Sequence, residues 1–198
     1  MVNSTYSVLQ PMYPLLIQQF VDDYSLSEGI VIDIGTGPGF LGLEMAKITS
    51  MKIFFVDINE EALQTAKKSF DSLDCDNKVE FIQSDVHDLI FEDNFADFIM
   101  SRGSIWFWNN PTKGLQEIYR VLKPGGTAII GGGLGKYVPE TMRKRLKKAL
   151  ENGVKKRNEK RPDLKEFEEM VKKANLPNYK VFNDGDNSGT GKWIEIKK

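Results

Sequence analysis

The feature that most constrains this chain is the run Ile30-Val-Ile-Asp-Ile34, which breaks into Gly35-Thr-Gly-Pro-Gly39 and then into the helix-forming stretch 40–48. A short apolar run that ends in glycines reads as a strand buried on both faces, as strands of parallel sheets are. A strand that runs through a glycine turn into a helix leaves backbone N–H groups at the helix start without partners. Glycine also lets a ligand approach the main chain closely. The unit is therefore expected to begin an α/β sheet and to bind a polar or anionic ligand.

The rest of the chain continues that rhythm. Apolar runs at 51–56, 78–83, 95–100 and 127–130 read as strands, with helices at 60–70, capped by Asn59, and at 111–122, opened by Pro111. Strands alternating with helices predict a parallel, doubly wound sheet. A helix at 14–24 precedes the first strand, with Leu15, Leu16, Gln19, Phe20 and Asp23 at helical spacing. After Gly135 the pattern changes. Residues 138–154 step Val138, Met142, Leu146, Leu150 along a helix, and 163–174 form another with Leu164, Phe167 and Val171 inward. Residues 179–182 and 192–196 alternate as strands around a Gly/Asn/Asp loop, which predicts a closing hairpin and an antiparallel last strand.

Composition sets limits. The 198 residues favour one domain, and 40% hydrophobic with 28% charged residues is ordinary for a globular protein. A net charge of −1 gives no overall pull toward nucleic acid or membrane. Cys75 is the sole cysteine and His87 the sole histidine, so an internal disulfide, a cysteine-rich zinc site and a multi-histidine site are excluded, and no metal is expected. Residues 1–10 lack the pattern of a signal peptide, and no apolar run reaches the roughly 18–20 residues of a membrane span, so a cytoplasmic location is expected. Basic residues crowd 143–161 (Arg143, Lys144, Arg145, Lys147, Lys148, Lys155, Lys156, Arg157, Lys160, Arg161). The apolar stripe beside them makes this a solvated helix face rather than a nucleic-acid platform, since aromatic residues are not interleaved.

Two cofactor classes fit the glycine loop. A dinucleotide fingerprint needs G-x-G-x-x-G directly after the strand. Counted from Gly35 the sixth position is Phe40; Gly37-Pro-Gly-Phe-Leu-Gly42 matches but starts two residues beyond the strand. Asp33 discriminates better. A buried carboxylate is expensive unless paired, and a cofactor with an ammonium group pairs it where a pyrophosphate would be repelled.

On these residues the chain resembles the class I S-adenosylmethionine-dependent methyltransferases, in the small-molecule branch that includes the quinone methyltransferases. Ile32-Asp-Ile-Gly-Thr-Gly-Pro-Gly39 is similar to the first family motif, Phe55-Val-Asp-Ile58 to the second, Gln83-Ser-Asp-Val86 to the third, and Leu122-Lys-Pro-Gly-Gly126 to the turn before strand five. The resemblance implies a Rossmann-like seven-stranded sheet, order 3-2-1-4-5-7-6 with strand 7 antiparallel. It implies one domain, with a helical lid at 1–28, a cofactor-binding core at 29–133 and closing helices and hairpin at 134–198. It also implies S-adenosyl-L-methionine as cofactor. Asp33, Gly35, Thr36, Gly37 and Gly39 would hold its methionine part. Asp57, followed by Ile58, would hold the ribose hydroxyls. Asp85 and Val86 would hold the adenine, with Asp88 as a neighbouring alternative to Asp85, and Ser101 would complete the set.

Ser101-Arg-Gly-Ser-Ile-Trp-Phe-Trp108 departs from the Asn/Asp-Pro-Pro-Tyr/Phe of the DNA and protein-amide enzymes, and resembles a subgroup with Ser-Arg-Gly-Ser at this place. Arg102 is a candidate for an anionic substrate or the cofactor's carboxylate. Trp106, Phe107 and Trp108 are candidates for the substrate pocket, and Tyr6 and Tyr13 for a lid. His87 is a candidate base, but no catalytic residue is assigned. The expected activity is methyl transfer to a small molecule. A non-catalytic binding protein, an RNA methyltransferase and an NAD-dependent oxidoreductase remain as alternatives.

Overall fold

The computed structural model describes residues 8–157, 161–184 and 191–198, the side chains of 153–157 excepted. Its elements are α1 (Tyr13–Tyr24), β1 (Ile30–Ile34), α2 (Phe40–Ile48), β2 (Lys52–Asp57), α3 (Glu60–Asp71), β3 (Val79–Gln83), β4 (Ala96–Arg102), α4 (Pro111–Val121), β5 (Leu122–Gly132), α5 (Glu140–Arg157), α6 (Leu164–Ala174), β6 (Tyr179–Asn183) and β7 (Lys192–Lys197). The strands form one seven-stranded sheet in the order β3-β2-β1-β4-β5-β7-β6. Strands β1 to β5 pair in parallel, and β7 runs antiparallel to both β5 and β6. The order and the antiparallel last strand are those the resemblance implied.

The sheet is buried on both faces, which explains the near-continuous apolar runs of its central strands. Alternate residues serve opposite cores. Phe55 and Phe98 pack with Leu16, Ile17 and Phe20 of α1, Met45 of α2 and Leu146 of α5. Ile32, Phe54 and Ile99 pack with Leu115 and Ile118 of α4 and with Phe167 and Val171 of α6. Local signals set the helix starts. The Asn59 side chain accepts from Glu61 N, Asn110 accepts from Lys113 N ahead of Pro111, and Asp163 and Glu166 form a capping box.

Several expectations change. The buried face of α1 is Tyr13, Leu16, Ile17 and Phe20; Gln19 and Asp23 sit beside it and hold Lys136. Strand β5 starts at Leu122, because Gly125 N donates to Lys198 O at 2.7 Å and Lys198 N to Gly126 O at 3.1 Å, which holds the 123–126 turn against the sheet. The largest change concerns the basic helix. Arg143 is only 7% exposed. Its Nη2 donates to Gly135 O at 2.5 Å, and its Nη1 lies 3.6 Å from Asp184 Oδ2. Asp184, itself buried, also accepts from the Leu134 and Gly135 N–H groups and from Trp193 Nε1. A buried carboxylate is costly without a cation and several donors, and Arg143 turns inward to supply the cation. Lys144 and Lys148 of the same run are exposed, whereas Lys155, Lys156, Arg157 and Lys160 lie outside the described side chains.

Gly42 marks the tightest helix-to-sheet contact near the loop. A Cβ there would lie 2.3 Å from Phe55 Cε1, inside the fully buried core. Gly42→Ala is expected to cost about 1–3 kcal/mol by overpacking, a fall in Tm of roughly 3–10 °C for a chain of this size. Thermal unfolding checks this; an unchanged Tm would show that the contact is loose.

Candidate functional site

Beyond Ile34 the chain turns through Gly35 at φ 64° and Gly37 at φ 55°, a region that side chains rarely occupy. A Cβ on Gly35 would lie 2.4 Å from Ser104 Cβ, so this glycine is needed for space as well as for conformation. A Cβ on Gly37 would meet nothing within 4 Å, because Gly37 borders an open cleft.

Asp33 anchors this loop from behind. It is 1% exposed, and its Oδ2 accepts from Thr36 Oγ1 at 2.6 Å and from Gly42 N at 3.1 Å. Burial pushes its carboxyl up to about 7; the Thr36 and Gly42 bonds act in the opposite direction, and the Asp57 charge adds to the rise. Thr36 N also donates to Val56 O at 3.0 Å, which fixes the loop to β2. At the end of β2, Asp57 accepts from Gly37 N at 2.8 Å through Oδ2 and from Asn59 N at 2.9 Å through Oδ1.

The cleft holds about 260 Å³. Gly35, Gly37, Asp57, Ile58, Asp85 and Val86 line it together, with His87, Ser104, Phe107 and Trp108 around them. It lies at the C-terminal ends of β1, β2 and β3, beside the point where β1 is flanked by β2 on one side and β4 on the other. Ligands of open α/β sheets bind at such a switch point. Ile58 at 65% and Phe107 at 66% exposure put two large apolar side chains in its wall and in contact with solvent. A larger hollow, about 350 Å³, lies between α1 and the β6–β7 hairpin, but none of the predicted site residues lines it. Its acids are largely engaged by Lys136, Tyr24, Lys197 and Arg143.

The predicted residues thus fall into three groups. Six line the cleft. Asp33, Thr36, Gly39 and Ser101 are buried behind it, with Ser101 Oγ hydrogen-bonded to Ser104 Oγ. The third group stands apart. Arg102 Nε donates to Gly133 O at 2.8 Å and Nη1 to Tyr13 Oη at 3.4 Å, while Trp106 lines a separate small hollow with Trp108 and Met170. Tyr6 lies outside the described residues.

His87 acts as a tie. Its backbone N–H and its ring Nδ1 both meet Asp85 Oδ1, and its Nε2 accepts from Asn110 N at 3.2 Å. The His87 backbone N–H, helped by its ring and by Lys113, holds the Asp85 carboxyl below the usual carboxylate range. Both ring nitrogens are engaged, so the ring joins the β3 side of the cleft to the start of α4 instead of facing an acceptor as a base. Nothing in the sequence links His87 to Asn110. Ser104 belongs to the Ser-Arg-Gly-Ser string, but its place in the site depends on contact with Gly35, which no local pattern shows.

Two outcomes follow. The folded state holds a proton on Asp33 that the unfolded chain releases near pH 4, so stability falls as pH rises from about 4 to 7 and is level above that. Over this window Asp33→Asn is expected to gain on the wild type by a few kcal/mol, at about 1.4 kcal/mol per pH unit; urea unfolding at pH 5 and pH 8 measures it, and a constant difference refutes it. His87→Ala removes both ties and is expected to cost about 1–2 kcal/mol, with His87→Asn, which keeps a donor for Asp85, losing less in the same assay.

Comparison with known proteins extends this geometry. Residues 32–130 match the family described as the methyltransferase domain. The chain is 35% identical over 111 residues to the chloroplastic 2-methyl-6-phytyl-1,4-hydroquinone methyltransferase of Arabidopsis thaliana, a match covering 56% of this chain and 32% of the plant enzyme. It is 34% identical over 104 residues to the ubiquinone/menaquinone biosynthesis C-methyltransferase of Rickettsia prowazekii, covering 50% of this chain and 42% of that enzyme. The aligned stretch therefore spans less than half the length of either relative. The crystal structure of a Methanococcus maripaludis protein assigned as an S-adenosyl-L-methionine-dependent methyltransferase superposes with a TM-score of 0.83 at 28% identity, covering 98% of this chain and 88% of that one. With its domain matched from β1 to β5 and its strand order shared, the chain belongs to the methyltransferase-domain family, as a class I S-adenosylmethionine-dependent methyltransferase with the quinone methyltransferases among its relatives.

Proposed function

We propose that the chain methylates a small-molecule acceptor, with S-adenosylmethionine held in the 260 Å³ cleft. The observation that carries this reading is the meeting of Gly35 and Gly37 with the carboxylates of Asp57 and Asp85 in one cavity. The residues fit that cofactor. Each oxygen of Asp57 accepts one backbone N–H and keeps lone-pair capacity for a ribose hydroxyl. Asp85 and Val86 stand where a purine edge would be read, and Ile58 and Phe107 offer apolar surface for its faces. Gly37 leaves room for the methionine chain. Asp33, Thr36, Gly39 and Ser101 shape that end of the cleft from behind.

A dinucleotide fits less well. Gly37 N–H, a donor that a diphosphate would use, is bonded to Asp57, and Gly39 N–H is bonded to Thr36 O. A phosphate there would face a carboxylate in place of free donors.

The cofactor supplies an electrophilic methyl carbon on a sulfonium sulfur. The chain's part is to hold the two reactants in line and to exclude water, and alignment of this kind supplies much of a rate enhancement. With both His87 nitrogens engaged, the fitting acceptors are those that bring their own nucleophile, such as a thiolate or an amine. A small acceptor is supported by the names of the quinone-methyltransferase relatives and by the inward turn of Arg143, which interrupts the basic stretch an RNA would need. We read the chain as one methyltransferase domain in which α1 and Tyr13 cover the acceptor side, with Arg102 and Trp106 as further acceptor-side residues.

Calorimetry tests the cofactor. S-adenosylhomocysteine is expected to bind the full chain and NAD not to; Asp57→Ala is expected to weaken S-adenosylhomocysteine roughly 10- to 100-fold through the lost charge-assisted bonds. Binding of NAD without S-adenosylhomocysteine overturns the assignment. Incubation with a low-molecular-weight metabolite extract is expected to yield S-adenosylhomocysteine where RNA does not.

A further inference from the structure

We propose that Arg102 is the seat of a carboxylate, bound beside the methyl-transfer site; the inference rests on the reading of the cleft given above. Arg102 ends β4, immediately before Gly103 and Ser104, which line the cleft. Its guanidinium carbon lies 5.4 Å from the centroid of the Tyr13 ring, and that ring stacks on Phe40 at 5.1 Å. Phe40 opens α2 directly after Gly39. Arg102 does not itself line the cleft; it stands one residue from the cleft wall, and through Tyr13 it is linked to the helix that follows the glycine loop.

Its partners are neutral. Nε bonds the Gly133 carbonyl and Nη1 the Tyr13 hydroxyl. Among the described residues no carboxylate lies within 4.0 Å of it, whereas Arg120 is paired with Glu117 and Asp93, and Arg143 with Asp184. Arg102 is half-buried. A guanidinium stays charged at every relevant pH, and taking it partly out of water is unfavourable unless an anion compensates. The Tyr13 ring and the Gly133 carbonyl fix its plane. Among the described residues Nη2 has no acceptor, and it is the edge of the fork that meets a carboxylate.

The charge on offer selects the class. Among the described residues Arg102 is one uncompensated cation, whereas Lys136 is committed to Asp23 and Arg143 to Asp184. One positive charge matches a monoanion, where a phosphate dianion would call for a second. A carboxylate can come from two sources, the aminocarboxylate end of the cofactor or an acid group on the acceptor.

The experiment uses the full chain as wild type, Arg102→Gln and Arg102→Lys. Calorimetry compares S-adenosylhomocysteine with 5′-methylthioadenosine, which lacks the aminocarboxylate. Turnover is compared on metabolite extract split by anion exchange into acidic and neutral fractions. If the cofactor is the source, Arg102→Gln weakens S-adenosylhomocysteine about 10-fold or more, as loss of a charge-assisted pair does. Methylthioadenosine is then unaffected, and Arg102→Lys recovers part of the loss. If the acceptor is the source, both affinities hold and turnover of the acidic fraction falls at least as far, and by more than that of the neutral fraction. Wild-type behaviour of Arg102→Gln in both arms overturns the proposal. A wild-type chain that binds neither ligand overturns the cleft reading and the carboxylate seat together, and is recognised as such because it requires no variant.

Discussion

A carboxylate buried inside a hydrophobic sheet is the constraint around which the rest of this site is arranged. Asp33 lies in β1, covered on both faces, with no route to solvent. Its donors come from the segment that follows it: the Thr36 hydroxyl and the Gly42 N–H. To deliver both, the chain must fold back over the strand end and start α2 directly above it, which the glycines allow. That fold-back leaves Gly37 N–H pointing at Asp57, so the second strand is tied to the loop by the same turn. The cleft is what remains open once these bonds are made.

The walls of the cleft follow the same logic at its other end. Asp85 is oriented by His87, and His87 by the backbone at Asn110, whose side chain caps α4. Both carboxylates of the cavity are therefore held by groups of the chain, Asp57 by the Gly37 and Asn59 N–H groups and Asp85 by His87. Arg102, outside the cleft lining, differs: its neutral partners fix its direction, and among the described residues no carboxylate compensates its charge. Most of the charge on the cleft wall is negative, from Asp57 and Asp85, which suits a cationic cofactor, with the cation standing apart from it.

Much of this was legible in the sequence because it follows from local pattern. Apolar runs of four to six residues located the five parallel strands, and the quoted motifs placed Gly35, Gly37, Asp57 and Asp85 at strand ends, where the topology brings them together. What could not be read depends on contacts between distant segments. Arg143 stands in a run of lysines and arginines and looks exposed; its carboxylate partner comes after α6, in the hairpin. His87 and Asn110 are joined through space, by one backbone N–H. Tyr13 and Arg102, singled out separately, turn out to be each other's neighbours because α1 packs across the ends of α2 and β4.

The place of β7 has a consequence for how the chain comes together. Every element that lines the cleft precedes β5, yet β5 finds its second neighbour only when β7, the last strand in the chain, inserts between it and β6. As the chain leaves the ribosome, the cleft residues emerge first and the open edge of β5 waits through two helices and β6 for its cover. An unpaired strand edge of that kind invites wrong pairing. The antiparallel hairpin is the latch that closes it, and the Arg143–Asp184 pair joins that latch to the segment leaving the sheet.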